Sequence, residues 1–302
     1  MKKKKISVGM RSMIKVLRAD HEAETKKRVA EGRAALEKMA SKTIIPDDVI
    51  FEEIDIDGMS ALWVTTPESQ LNKIILYLHG GGYVQGSLKT HRDLCQRISK
   101  ASNARTLYID YGIAPENPFP AGLNDSVKAY QWLISHQEIK PGNIVIAGDS
   151  AGGGLTLATL LKLRDSNIPL PVAAVCLSPW TDLTLSGESY HTKAKEDPFI
   201  TFDGLAFDAR LYIGDEDPKN PYISPIYGDF TGLPPLCIQV GSAEILLDDS
   251  RIVAEKAKKA GVDVTIDIWE HMIHVFQAFA IIATEGQKGI ERIGEFIRKY
   301  LK

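Results

Sequence analysis

Apolar positions along this chain change their period several times, and each change marks an element. Over residues 1–45, Met10, Met13, Ile14 and Leu17 recur at helical spacing. Val29, Leu36 and Met39 continue the stripe between charged residues, so the segment reads as helix. From residue 48 the pattern becomes strand-like. Residues 49–56 and 59–65 read as two strands joined by Asp57-Gly58, a two-residue hairpin signal. Short β-branched runs then alternate with longer helical patterns. Strands are predicted at 73–78, 105–111, 143–147 and 172–177, with helices near 89–103, 122–136 and 150–164. A strand at 236–240, a helix near 249–260, a strand at 262–269 and a helix near 286–301 complete the series. The later strands are almost continuously apolar, as strands covered on both faces must be. A hairpin followed by β–α alternation predicts an α/β fold, with a mostly parallel central sheet and helices on both faces.

The series breaks between about 182 and 234. This stretch is rich in turn residues and in aromatics: Tyr190, Phe199, Phe202, Phe207, Tyr212, Tyr222 and Tyr227. A loop-rich insert of that length inside a compact domain is usually functional. The division expected is N-terminal cap helices over 1–45, then a main domain over 46–302 that carries a cap insertion at about 182–234.

Composition narrows the function classes. The chain has 302 residues, 44% apolar and 25% charged, with net charge −3. It has no basic excess of the kind that binds nucleic acid, and no apolar run of membrane-span length. The lysine-rich start has no apolar stretch behind it, so it reads as a solvated terminus rather than a secretory signal or stable membrane anchor. A cytoplasmic location is expected. Cys95, Cys176 and Cys237 form no CxxC pair and read as reduced thiols, the last two packed inside strands.

Residues 148–154, Gly-Asp-Ser-Ala-Gly-Gly-Gly, stand between the strand at 143–147 and the helix that follows. That is the strand–turn–helix setting of a G-x-S-x-G nucleophile elbow, which pushes the Ser150 hydroxyl out of the backbone envelope. Glycine at 148 and 152 lets strand and helix approach without Cβ clashes. A second glycine run, His79-Gly80-Gly81-Gly82-Tyr83, follows the strand at 73–78. It is either a flexible turn or a set of backbone N–H donors for an oxyanion, and HGGG is the known companion of the serine elbow. The base must follow the acid and the acid the serine in this arrangement. His274 is the candidate base and His271 the alternative; as an HxxH pair they lack a third metal ligand, so no metal is expected. Glu244 and Asp248 both follow the strand at 236–240 and both remain candidates for the acid. Asp248 and Asp249 can also serve as first-turn acids of the next helix.

Together these residues resemble the hormone-sensitive lipase family, the bacterial family IV carboxylesterases, of α/β-hydrolase fold. The resemblance runs from about residue 73 to the C-terminus. It rests on His79-Gly80-Gly81-Gly82, the 148–153 block, Tyr111-Gly112-Ile113-Ala114-Pro115-Glu116, Phe119-Pro120-Ala121, Asp125, Ser178-Pro179-Trp180 and His274-Val275-Phe276. It implies Ser150 as nucleophile, His274 as base, and the N–H groups of Gly81, Gly82 and Ala151 as oxyanion donors. Two departures stand out. Gly112 replaces the family's usual arginine, and Glu244-Ile245-Leu246-Leu247-Asp248 replaces Asp-Pro-Leu-x-Asp. The thirty-residue separation of Glu244 and His274 matches the family's spacing, which assigns the acid to Glu244. Asp149 is read as a positioning or cap contact. Tyr83, Asp149, Phe199 and Phe202 are the substrate-binding candidates.

The resemblance implies a serine carboxylesterase acting on small-molecule esters with short to medium acyl chains, with no cofactor. The same triad would also serve an amidase, deacetylase or lactonase. A non-catalytic binding protein on the same fold would lack the histidine that stands here at 274. Family members often dimerise through the last strand and its neighbouring helix, which leaves a homodimer open by analogy.

Overall fold

The computed structural model describes the backbone from Val8 to Lys302, and side chains at residue 23 and residues 25–302. Met10, Met13, Ile14 and Leu17 therefore lie outside the described side chains. The described residues form a single eight-stranded sheet: β1 (Ile50–Ile56), β2 (Met59–Thr65), β3 (Gln70–Leu78), β4 (Ala104–Ile109), β5 (Ile144–Asp149), β6 (Ala173–Leu177), β7 (Leu236–Gly241) and β8 (Val264–Trp269). The helices are α1 (Val8–Ala40), α2 (Arg92–Ser102), α3 (Ala121–Ser135), α4 (Ala151–Asp165), α5 (Ser189–Thr192), α6 (Phe202–Ile213), α7 (Leu247–Lys259) and α8 (Thr284–Tyr300).

The spatial order is β1-β2-β4-β3-β5-β6-β7-β8. β1 pairs antiparallel with β2, and β2 with β4; every other pair is parallel. The hairpin forms where expected. Asp57 and Gly58 both have positive φ, and the Gly58 N–H donates to the Asp55 carboxylate at 2.8 Å. Strand pleating sends alternate residues to opposite cores. Ile74, Leu76, Ile144 and Ile146 join the side packed by α3, α4 and α7; Ile75, Tyr77, Val145 and Ala147 join the side packed by α2 and α8. α4 is buried along nearly its whole length, which is why its sequence is apolar on every face.

Chain direction reverses beside β3: the chain passes from β3 out to β4, then back across to β5. Ligands of open α/β sheets bind beyond the carboxyl ends of the strands at such a switch point. The glycine run follows β3 and the serine follows β5, so both sit at that crevice.

The expected loop-rich interruption holds a regular helix. α6 begins at Thr201, whose Oγ1 accepts the Gly204 N–H at 3.1 Å, and stops at Gly214 with φ 61°. Leu205, Ala209 and Tyr212 form its buried face at helical spacing. The interspersed aromatics obscure that period in sequence. α1 is one helix, and its described half clamps onto the loop after the glycine run. Arg33 donates to the Val84 and Ala114 carbonyls at 2.8 and 2.9 Å and forks onto Glu116 at 2.7 and 3.0 Å. Val29 is buried, Leu36 half-buried and Met39 exposed, so only part of the expected stripe packs. Cys95, Cys176 and Cys237 are free and buried.

Candidate active site

Ser150 caps the N-terminus of α4 with φ 53° and ψ −122°, a conformation L-residues seldom adopt. Three backbone bonds hold this turn: Ser150 N–H to the Leu177 carbonyl at 2.8 Å, and Trp180 and Gly154 N–H to the Ser150 carbonyl at 2.9 and 3.1 Å. Close approach of α4 to β3 also requires glycine at 152. A Cβ there would lie 2.0 Å from the Leu78 carbonyl oxygen.

The elbow directs Ser150 Oγ to His274 Nε2, at 2.9 Å. On the far side of the ring, His274 Nδ1 lies 2.7 Å from Glu244 Oε2. Glu244 is fully buried and His274 nearly so. The other carboxylate oxygen, Oε1, accepts two donors, Gly241 N–H at 2.6 Å and Ser178 Oγ at 2.8 Å. Ser178 Oγ also accepts the Val275 N–H at 3.1 Å, tying the acid to the histidine loop. Three separate strand ends thus contribute: β5 the serine, β7 the acid and the loop beyond β8 the histidine. Burial by itself favours a neutral imidazole. The hydrogen bond and charge of Glu244 outweigh it, with Asp197 adding, and hold the His274 pKa above its ordinary value.

The alternatives from sequence fall elsewhere. His271 is 87% exposed and faces Glu270 at 3.6 Å. Asp248 accepts the Ser189 N–H at 2.8 Å and lies 3.7 Å from Arg251. Asp249 is buried and accepts the Thr181 and Asp182 N–H groups and the Tyr190 hydroxyl. Burial pushes its carboxyl up to about 7 despite those donors.

Gly81 and Gly82 take φ 119° and 63° in the turn after β3. Among the described residues, the N–H groups of Gly81, Gly82 and Ala151 donate to no protein acceptor. Ala151 N–H also opens α4, at the positive end of its dipole. The glycine loop meets the elbow at Gly80, where a Cβ would lie 3.1 Å from Ser150 Cβ, and backbone donors without a protein acceptor are the groups a developing oxyanion requires.

Two anticipated substrate contacts need correction. Asp149 is buried beneath the glycine loop. Its Oδ1 accepts the Tyr77 hydroxyl at 2.7 Å and the Gly80 N–H at 3.1 Å, and its Oδ2 lies 3.3 Å from His91 Nε2. Burial alone would raise its pKa, but His91 and Tyr77 lower it, keeping a carboxylate that anchors the loop. Tyr83 stacks on Tyr212 at 3.9 Å between ring centroids and is buried against Trp180, so it packs inward. Phe199 does lie beside His274, at 6.0 Å between centroids, and is partly exposed. Phe202 packs on Tyr190 and His191 at the start of α6. Asp125 accepts the Gly112 N–H at 2.8 Å, so a backbone donor serves it where the family's arginine is missing.

Ser178, Gly241 and His91 are site-supporting residues without an assigned role in the sequence reading. Ser178 belongs to a motif block at the end of β6, and that placement is the signal that could have found it. Among the described residues no group of three or more His, Cys, Asp and Glu is placed to hold a metal ion. No helix of the described residues is long and apolar enough to cross a membrane.

Residues 75–278 match the alpha/beta hydrolase fold family. An acetyl-hydrolase of Streptomyces hygroscopicus is 42% identical over 90% of this chain and 89% of its own. An esterase of Acinetobacter venetianus is 36% identical over 76% of each chain. A solved esterase of the bacterial hormone-sensitive lipase family superposes with TM-score 0.88 and 46% identity, covering 89% of this chain and 91% of its own. With most of its length matched in sequence and backbone alike, this chain belongs to the α/β-hydrolase family, among the esterases of the bacterial hormone-sensitive lipase group.

Proposed function

We propose that this carboxylic ester hydrolase cleaves short- to medium-chain acyl esters through a Ser150–His274–Glu244 triad and an acyl-enzyme. One observation carries the reading: the continuous contact chain from Ser150 Oγ through both ring nitrogens of His274 to Glu244. With Nδ1–H donated to Glu244, Nε2 is left as the acceptor that takes the serine proton as Oγ attacks the ester carbonyl. The oxyanion then receives the N–H groups of Gly81, Gly82 and Ala151. Such donors are worth about 3–4 kcal/mol each when removed singly. The imidazolium, stabilised by Glu244, protonates the departing alcohol. The neutral ring next draws a proton from water as it attacks the acyl carbon, and returns that proton to Ser150 Oγ as the carboxylic acid leaves.

α1 and the insertion with α5 and α6 are assigned as a cap. The Arg33 clamp and the position of Phe199 beside His274 support that division. A site lined by Phe199 suits an apolar acyl chain of modest length, and the acetyl-hydrolase name of the Streptomyces relative favours the short end. The test is a p-nitrophenyl ester series from acetate to decanoate with Ser150→Ala as control. Activity should fall by several orders of magnitude in Ser150→Ala, and a fluorophosphonate should label Ser150 in the unaltered protein. Full turnover by Ser150→Ala, or no labelling, would overturn the reading.

A further inference from the structure

One carboxyl group beside the glycine loop has no part in the hydrolytic chemistry. Asp208 lies midway along α6. Its Oδ2 stands 2.2 Å from where a Cβ on Gly82 would be, so this carboxylate occupies the space the glycine leaves empty. Gly82 N–H is one of the donors assigned to the oxyanion. Chaining bond lengths and one hydrogen bond places Asp208 within roughly 8 Å of the carbonyl oxygen of a bound ester.

Among the described residues this carboxylate makes no hydrogen bond and no ion pair with a protein group. The cation whose charge opposes it is Arg28 of α1, whose guanidinium lies over the Phe207 ring, 3.8 Å from its centroid, with Arg210 of α6 5.6 Å from the same centroid. Burial pushes the Asp208 carboxyl up to about 7, with the Arg28 charge opposing. A half-buried carboxylate without a protein hydrogen-bond partner carries part of the cost of desolvating a charge. A group that bears this cost against Gly82, next to one of the assigned oxyanion donors, is a candidate to meet a ligand.

We propose that Asp208 is a charge-selecting residue of the active site, which favours esters bearing a cationic group near the scissile bond and disfavours anionic ones. This inference rests on the esterase reading above. An unpaired carboxylate within about 8 Å of the reacting carbonyl, at the effective dielectric of a partly wet cleft, should bias kcat/KM by about tenfold per unit charge. Arg28 is exposed, so water screens its charge more than that of the half-buried Asp208.

Butyrylthiocholine and its uncharged carbon isostere, 3,3-dimethylbutyl thiobutyrate, differ at a single atom and release a thiol that is followed by colour. The readout is the ratio of their kcat/KM values at about pH 8.5, which is independent of any change in overall rate. The unaltered enzyme should prefer the cation by about tenfold. Asp208→Asn should bring the ratio near unity, Asp208→Glu should keep the preference, and added salt should shrink it. A mono-p-nitrophenyl ester of glutaric acid, compared with p-nitrophenyl butyrate, should gain in Asp208→Asn. Equal ratios in the unaltered enzyme and Asp208→Asn would overturn the proposal. If fluorophosphonate still labels Ser150 and the neutral thioester still turns over, only the role of Asp208 fails. If neither occurs, the esterase reading falls and takes this proposal with it.

Discussion

Replacing Glu244 by glutamine tests the acid directly, because the local hydrogen bonds fix how the amide must sit. Oε1 of Glu244 faces two donors, Gly241 N–H and Ser178 Oγ. The glutamine must therefore turn its carbonyl oxygen toward them and its NH2 toward His274 Nδ1. A donor at that position makes Nδ1 the acceptor and leaves the proton on Nε2. That is the tautomer that cannot receive the Ser150 proton. The substitution also removes the charge that stabilises the imidazolium in the transition state. Unit charges about 4 Å apart at an effective dielectric near 20 interact by about 4 kcal/mol, roughly a thousandfold in rate. With the wrong tautomer added, Glu244→Gln should lose on the order of 10³–10⁴ in kcat/KM on p-nitrophenyl butyrate. Asp248→Asn, whose carboxylate faces Ser189 and Arg251 instead, should stay within about threefold. The pH profile gives an independent sign. His274 must be neutral to act, and its pKa is raised chiefly by Glu244 against the effect of burial. The acid limb of kcat/KM should therefore lie above the ordinary imidazole range and move to lower pH in Glu244→Gln. A Glu244→Gln enzyme within tenfold of the original, or an Asp248→Asn enzyme as impaired, would refute the assignment.

Ser178→Ala removes one donor from Glu244 and leaves the Val275 N–H unpaired. A loss of about 10–100-fold in kcat with little change in KM is expected, and an unchanged kcat would count against the role. Asp149→Ala strips acceptors from Gly80 N–H and the Tyr77 hydroxyl, and should lower thermal stability by about 2–4 kcal/mol along with kcat. Asp149→Asn should recover much of both, since its amide oxygen still reaches those donors; equal damage from the two would argue against loop anchoring. Gly152→Ala drives a Cβ into the Leu78 carbonyl and should cost about 3 kcal/mol or more, read as a drop in Tm. A Tm within about 2 °C of the original would show that α4 can move aside.

Sequence alone determined what depends on neighbours along the chain. The Asp57-Gly58 hairpin, the parallel strands and the elbow at Ser150 all follow from local periodicity and turn chemistry, and the structure has each of them. α6 was hidden because aromatics at 199–212 blur the helical period that Leu205, Ala209 and Tyr212 keep. The orientation of Tyr83 and Asp149 was likewise not legible. Both adjoin motif residues, yet a turn with positive φ at Tyr83 and the strand end at Asp149 send their side chains into the protein. Pairing across the sheet was decided only in three dimensions. The order that puts β3 between β4 and β5 brings the glycine loop to the serine elbow. The ends of β6 and β7 bring Ser178 and Gly241 onto Glu244. Such contacts join residues far apart in the chain, and no local pattern encodes them. They are selected by which strands can bury both faces at once, a property of the whole core.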